Sequence, residues 1–269
     1  MEFYGLLGER LSHSLSPEIH NKLFKKLNKE GAYKLFEVER DKLDEFSGAL
    51  KLLKIKGVNV TVPYKKDIMR YIDDISQEAE KIGAINTIAL ENGNLYGYNT
   101  DYYGLGYMLR TNDICIEGKV AVILGNGGAC RAVLQYLLDN KVSKVYIASR
   151  NPNSESFDDK RVQLITYHEL KKIKGDILIN STPVGMYPNI DNTPVSEEII
   201  NNFNILVDLI YNPINTMFLN IGNTLGKKTV GGLHMLIGQG VKAQEIWHGL
   251  SISEEVIKEI YYDLMIKLG

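Results

Sequence analysis

KVAVILGNGGACRAVLQYLLDN, residues 119–140, decides the fold. Val120 to Leu124 form an unbroken apolar run that gives way to Gly125, Asn126, Gly127, Gly128 and Ala129, and an amphipathic helical pattern follows. Strand, glycine turn and helix in that order are the setting in which such a turn holds a dinucleotide. Glycine permits the tight bend, lets backbone approach a pyrophosphate, and presents helix N-terminal amides to it. The third small position of the usual fingerprint is Cys130, still compact enough for helix to pack on strand. The next strand-like run, KVYIASRN, ends in Ser149, Arg150 and Asn151. A site for NAD carries Asp or Glu about 20 residues on, to hold the ribose hydroxyls. No carboxylate stands at this strand end, and Arg150 suits a 2′-phosphate, so the expected cofactor is NADP.

Upstream, strand-like and helix-like runs alternate: EFYGLLG then PEIHNKLFKKLNKEG, YKLFEVE then DKLDEFSGALKLLK, VNVTV then KKDIMRYIDDISQEAEKIG. That alternation predicts an α/β domain with a mostly parallel sheet. INTIALENGNLYGYNTD differs, since Asn92 and Gly93 between two short apolar runs mark a hairpin. Downstream, VAVILG, KVYIASR, ILINST, ILVDLIY and KTVGG are the strands of a Rossmann-like domain, with a last long helix over about Leu233 to Gly249. The expected division is residues 1–101 plus 234–269 as one domain and 102–233 as the other. NPNSESFDDKR, residues 151–161, is expected to be a surface loop.

With 31 basic and 33 acidic residues among 269, a net charge of -2 gives no reason to expect a nucleic-acid partner. Cys115 and Cys130 are too few for a disulfide framework and lack metal-ligand spacing, so no metal is expected. Neither a basic leader with an apolar core nor a membrane-spanning apolar run is visible, and the expected setting is the cytoplasm. The expectation for assembly is a monomer or a homodimer.

VNVTVPYKK, residues 58–66, carries the chemistry. Val58, Val60 and Val62 alternate with Asn59 and Thr61, the pattern of a strand with one apolar face. Pro63 stops the ladder and is expected to open a helix over YKKDIMRYI, with Lys65 near its N-terminus. The positive end of a helix dipole disfavours an ammonium there, which would ready Lys65 for proton transfer. A carboxylate partner would favour it instead, and the two effects oppose each other. Read alone, these residues also admit plainer roles. Lys65 fits a solvated surface charge, Ser14 or Ser16 a helix cap, and Gln239 a satisfied core amide.

Seven segments then occur together: Ser14-Leu15-Ser16-Pro17, Asn59 to Lys65, Gly83-Ala84-Ile85-Asn86-Thr87, Asn99-Thr100-Asp101, Gly125 to Ala132, Asn180 to Met186, and Met235-Leu236 with Gln239. In that order they make the chain resemble the shikimate dehydrogenases over nearly its whole length. The resemblance implies NADPH-linked, reversible reduction of 3-dehydroshikimate to shikimate in aromatic amino-acid biosynthesis, in a cleft between two α/β domains. It implies Lys65 and Asp101 as the catalytic pair. Ser14 and Ser16 would take the substrate carboxylate, and Thr61, Asn86, Asp101 and Gln239 the ring hydroxyls, with Tyr211 also on the substrate side. Gly125 to Ala129, Ser149 to Asn151, Leu209 and Gly232 would serve the cofactor. The family's Asn-Arg-Thr strand end is kept here only in Arg150.

A quinate/shikimate dehydrogenase or related cyclic hydroxy-acid dehydrogenase with relaxed cofactor use shares most of these segments. A non-catalytic module binding a nucleotide and a metabolite is the reading from another class. Such a module would be expected to have lost Lys65 or Asp101, and both are present.

Overall fold

A computed structural model of the chain describes residues 1–11, 14–152 and 157–268. It divides into two compact units, Met1–Gly104 with Ile237–Tyr262, and Leu105–Leu236 with Asp263–Gly269. Among the described residues no helix is long and apolar enough to cross a membrane.

In the first unit β1 (Glu2–Gly8) runs parallel to β2 (Gly31–Glu37) on one side and to β3 (Gly57–Val60) on the other. β4 (Asp74–Ile75) forms the far edge, parallel to β6 (Asn94–Tyr98). Between them β5 (Thr87–Glu91) is antiparallel to both β3 and β6, which gives the order β2-β1-β3-β5-β6-β4. The expected hairpin is present: Asn92 and Gly93 take φ of 50° and 83°, the left-handed pair that suits the twist of a two-residue turn. Helices α1 (Ser16–Lys26), α2 (Leu43–Leu52) and α3 (Gln77–Ile82) accompany this sheet, and α4 (Thr100–Thr111) starts in it. Leu7, Leu50, Val58, Val60, Tyr64, Ile85, Ile88 and Leu95 are among the core residues.

Two expectations around Pro63 fail. β3 ends at Val60 rather than Val62, and Asn59 is only 4% exposed while Val62 is 71% exposed. The alternation assumed one wet face, but β3 lies between β1 and β5 and all four of its residues are buried. Nor does a helix open at Pro63. A turn over 62–66 leads to a short 3₁₀ helix, Asp67–Tyr71, and then to β4 and α3. The cause is long-range. Asp73 exchanges bonds with Leu95, its backbone N donating to the Leu95 carbonyl at 3.0 Å and its Oδ2 accepting from Leu95 N at 2.6 Å, so the segment is tied to β6.

The second unit holds β7 (Val120–Leu124), β8 (Lys144–Ala148), β9 (Val162–Ile165), β10 (Ile177–Asn180), β11 (Ile205–Asp208) and β12 (Lys228–Val230), all parallel. Their order, β12-β11-β10-β7-β8-β9, starts at the centre and grows outward in both directions, the doubly wound Rossmann arrangement. Helices α5 (Gly128–Asp139), α6 (Tyr167–Leu170), α7 (Glu197–Ile200) and α8 (Met217–Thr224) connect these strands. β9 was not expected; it is an edge strand with a weak apolar pattern. Residues 153–156 of the expected surface loop lie outside the described residues, and its last two residues lead into β9.

α9 (Leu233–His248) has its C-terminal part in the first unit, where Trp247 Nε1 donates to the Ile88 carbonyl at 2.9 Å. It is not the last long helix. α10 (Glu254–Leu268) follows, burying Ile257, Ile260 and Leu264 at helical spacing.

Candidate active site

Tyr64 fixes the turn that carries Lys65. Its ring is fully buried, its hydroxyl donates to the Val38 carbonyl at 2.5 Å, and Ile85 N donates to the Lys65 carbonyl at 2.9 Å. From this pinned backbone Lys65 Nζ reaches Asp101 Oδ2 at 2.5 Å, the two side chains being 18% and 13% exposed. No α-helix starts at Lys65, which stands in the turn before the short 3₁₀ helix. The helix start belongs to Asp101 instead. It lies in the first turn of α4, where the dipole favours negative charge.

Asn86 organises that helix start. Its Oδ1 accepts from Thr100 N at 2.6 Å and from the hydroxyls of Thr100 and Thr87 at 3.1 and 3.2 Å. The oxygen is fully engaged, and Asn86 Nδ2 bonds to none of the described residues, which leaves an amide donor free. Thr100 Oγ1 also lies 3.5 Å from Gln239 Oε1, bringing α9 to the same place. The buried Asn99 supports the approach, donating from Nδ2 to the Ala84 carbonyl at 2.9 Å.

Ser14 and Ser16 lie at the start of α1. Ser14 Oγ accepts Ser16 N at 3.2 Å, while Leu15, the N-cap residue, makes no side-chain cap. Ser16 is not the cap but the first residue of the helix. Tyr33 donates to Asn59 Oδ1 at 2.7 Å, and Asn59 Nδ2 donates to Thr87 Oγ1 at 3.1 Å. Thr61 follows β3, its backbone N bonded to the Leu7 carbonyl at 2.9 Å. The first unit thus brings Lys65 to Asp101, and links Tyr33 through Asn59 and Thr87 to Asn86, Thr100 and Gln239. Tyr211 belongs to the second unit, where burial raises its phenol above the ordinary range. His13 lies outside the described residues, and His234 packs near Tyr107 in the second unit.

Tyr33, Asn59, Thr87 and Thr100 were not among the expected site residues. The last three stand inside quoted motifs and could have been found there; Tyr33 in AYKLFEVE gives no signal that separates it from a core aromatic.

In the second unit Gly125 leaves β7 with φ of 90°, and a Cβ there would meet Thr182 Cγ2 at 2.7 Å. Gly127 and Gly128 differ. An added Cβ at either meets nothing within 4 Å, and Gly127 has φ of -75°, so neither packing nor backbone strain calls for glycine. What their bareness provides is an open approach to the first amides of α5, which suits a pyrophosphate. Cys130 is fully buried beneath them. Strand order reverses between β7 and β10, the place where doubly wound sheets take ligands. Ser149 is buried at the end of β8 with its Oγ accepting Asn151 N at 3.2 Å, while Arg150 is exposed. These donors fit a phosphorylated dinucleotide. Gly232 answers a different need: a Cβ would fall 2.2 Å from the Leu209 carbonyl oxygen.

At the end of β11, buried Asp208 accepts from Thr216 Oγ1 at 2.7 Å, Asn180 Nδ2 at 3.0 Å and Ile210 N at 3.1 Å. Burial still pushes its carboxyl up to about 6.

Comparisons with known proteins point to one family. The pattern of the shikimate dehydrogenase substrate binding domain matches residues 6–88. The NADP(+) shikimate dehydrogenase of Clostridium beijerinckii is 59% identical over 262 residues, 97% of each chain. The crystal structure of shikimate dehydrogenase 1 from Peptoclostridium difficile superposes with a TM-score of 0.94 at 53% identity, over 100% of this chain and 99% of that one. Shikimate 5-dehydrogenase from Thermus thermophilus, solved with NADP(H) and shikimate, gives 0.86 at 30% identity over 98% and 99%. The chain belongs to the shikimate dehydrogenase family.

Proposed function

We propose that the protein catalyses the reversible NADPH-linked reduction of 3-dehydroshikimate to shikimate in aromatic amino-acid biosynthesis. The observation that carries this is the Lys65–Asp101 pair at 2.5 Å, in a chain whose relatives are NADP-dependent shikimate dehydrogenases. Residues 1–101 with 234–269 take the substrate, and residues 102–233 take the cofactor.

When bound, the cofactor supplies hydride to the ring ketone carbon. Lys65 gives a proton to the developing alkoxide and takes it back in the oxidative direction. Asp101 aims the Lys65 ammonium and accepts from a ring hydroxyl, so it acts on geometry as well as charge. Asn86 offers its Nδ2 hydrogens to the ring, with Thr61 and Gln239 as further polar edges and Tyr211 on the same side. Ser14 and Ser16 donate to the carboxylate; neutral hydroxyls grip it less strongly than arginine would and favour selectivity over raw affinity. Gly125, Asn126, Gly127, Gly128 and Ala129 present backbone amides to the pyrophosphate. Ser149, Arg150 and Asn151 take the 2′-phosphate, with Leu209 and Gly232 completing the cofactor side. Two free cysteines, Cys115 and Cys130, suit a cytoplasmic setting.

The test is spectrophotometric. The protein mixed with NADPH and 3-dehydroshikimate is expected to consume NADPH until equilibrium, and a folded sample that leaves it untouched contradicts the reading.

A further inference from the structure

We propose that Asn180, backed by Asp208, is a positioning residue of the cofactor site, because it shapes the loop after β10 against which the glycine turn rests. The inference rests on the cofactor role given above to Gly125 to Ala129, and it gives the segment Asn180 to Met186 a task.

Asn180 ends β10 fully buried, and both ends of its amide are in use. Its Oδ1 accepts from Thr182 N at 3.0 Å and from Thr182 Oγ1 at 2.7 Å, the turn that an asparagine side chain makes with backbone two residues on. Its Nδ2 donates to the Val184 carbonyl at 3.3 Å and to Asp208 Oδ1 at 3.0 Å. Val184 N closes the loop by donating to Thr182 Oγ1 at 3.2 Å. One side chain thus sets the path of residues 181–184.

That path runs along the glycine turn. Ser181 donates to the Leu124 carbonyl twice, from its backbone N at 3.1 Å and from Oγ at 2.7 Å, and so fastens the loop to the last residue of β7. Thr182 Cγ2 stands 2.7 Å from where a Cβ on Gly125 would be. Gly125 is therefore shaped from two sides: its φ of 90° favours glycine, and the Thr182 methyl occupies the space a side chain would take. A loop that strayed from this path would leave the turn without its neighbour, and the amides of Gly127 and Gly128 take their aim from that turn.

Asp208 makes the arrangement more than a local turn. Its Oδ1 accepts from Ile210 N as well as from Asn180 Nδ2, while its Oδ2 accepts from Thr216 Oγ1. Leu209 N donates to the Asn180 carbonyl at 3.0 Å, and Gly232 N to the Ile210 carbonyl at 3.0 Å. The Asn180–Asp208 pair therefore ties the loop beside the glycine turn to the turn that carries Leu209 and, through it, to Gly232, the other residues given to the cofactor. Both side chains are fully buried, so a bond lost between them is not replaced by bulk water.

The test is the dissociation constant of NADP, read by calorimetric titration of the full chain without substrate, with melting curves on the same samples. Asn180→Ala is expected to raise it about tenfold or more, because several bonds to the loop are lost together. Thr182→Val keeps the shape and cuts the bonds through Oγ1, for an expected rise of about three- to tenfold, whereas Thr182→Ser keeps those bonds and is expected to stay within about twofold. With NADP saturating, the KM for shikimate is expected to change by less than about twofold in all three. Thr216→Val removes a bond to the same carboxylate on the side of α8; it is expected to lower the melting temperature and leave the NADP constant within about twofold. A folded Asn180→Ala that binds NADP like the unmutated protein, or a Thr216→Val that weakens it equally, overturns the inference. Where Asn180→Ala does not fold, Thr182→Val decides: an unchanged constant, or an equal rise in Thr182→Ser, overturns it. An unmutated protein that does not bind NADP overturns the cofactor reading and this inference together, whereas one that binds it with indifferent variants overturns this inference alone.

Discussion

Asn86 Oδ1 accepts the backbone N–H of Thr100 at 2.6 Å, so the side chain proposed to meet a ring hydroxyl also holds the helix turn that carries Asp101. One amide divides its work, oxygen inward and nitrogen outward. Asn86→Ala loses both parts, and loss of a helix-start acceptor costs about 0.5–2 kcal/mol. Asn86→Asp keeps the acceptor, loses the donor and adds a carboxylate charge at the start of α4, where the helix dipole favours it. Both variants are expected to raise the shikimate KM by about tenfold or more, while thermal unfolding shows the larger fall in melting temperature for Asn86→Ala. An equal fall for both would show that the acceptor is not what holds α4.

The glycines separate in the same manner. Gly232→Ala forces a Cβ against the Leu209 carbonyl oxygen at 2.2 Å, and backbone cannot yield as a side-chain tip can. A cost of about 1–3 kcal/mol or more is expected, visible as a lowered melting temperature. Gly127→Ala meets no atom within 4 Å and adopts no left-handed φ. It is expected to melt like the unmutated protein while its KM for NADP rises about tenfold or more, the loss coming from a cofactor held off the amides of α5. Cofactor titrations and melting curves on the same samples check both.

Arg150 is exposed at the end of β8. Its proposed partner, the 2′-phosphate, exists on NADP and not on NAD. Arg150→Ala is therefore expected to raise the KM for NADP by about tenfold to a hundredfold, the worth of a charge-assisted bond, and to leave NAD kinetics almost unchanged. Equal losses with both cofactors would contradict the assignment.

Asp208 gives a pH signature. Its folded value of about 6 stands above the ordinary aspartate value of 3.8. The folded state thus holds the proton more tightly, and this group's stabilising contribution is full below about pH 4 and is lost as pH rises through 6. The difference of roughly two pH units corresponds to about 3 kcal/mol as an order of magnitude. Buried His20, pushed down to about 3, works in the opposite sense and loses stability as pH falls below 6.5. Comparing Asp208→Asn with the unmutated protein by denaturant unfolding at pH 4, 5 and 6 isolates the aspartate. The expected result is that the gap between them shifts in favour of Asp208→Asn as pH rises, and a gap constant across that range contradicts it.

Local periodicity made much of this architecture legible. Val120 to Leu124 with the glycines after it specified the strand, turn and helix at the centre of the second unit, and Asn92-Gly93 specified the hairpin. Where the reading failed, the deciding interactions lie far apart in sequence. Val62 alternates correctly with Val58 and Val60 yet is exposed, because burial of β3 is set by β1 and β5 on its two sides. The helix expected through 65–83 breaks because Asp73 bonds to Leu95, a pairing no local window contains. The same holds for the site. Lys65 and Asp101 could be named from their motifs, but the bonds that reach Asn86 through Asn59 and Thr87 start from Tyr33, 26 residues from its partner Asn59.

The most direct measurement is kcat for NADPH-linked reduction of 3-dehydroshikimate by Lys65→Met beside the unmutated protein, with melting curves for both. Removing the amine leaves a side chain of similar length in a turn still anchored by Tyr64, so the fold is expected to persist. The account predicts kcat lower by about 10²- to 10⁴-fold with substrate still bound. A Lys65→Met protein that turns over like the unmutated one would contradict it.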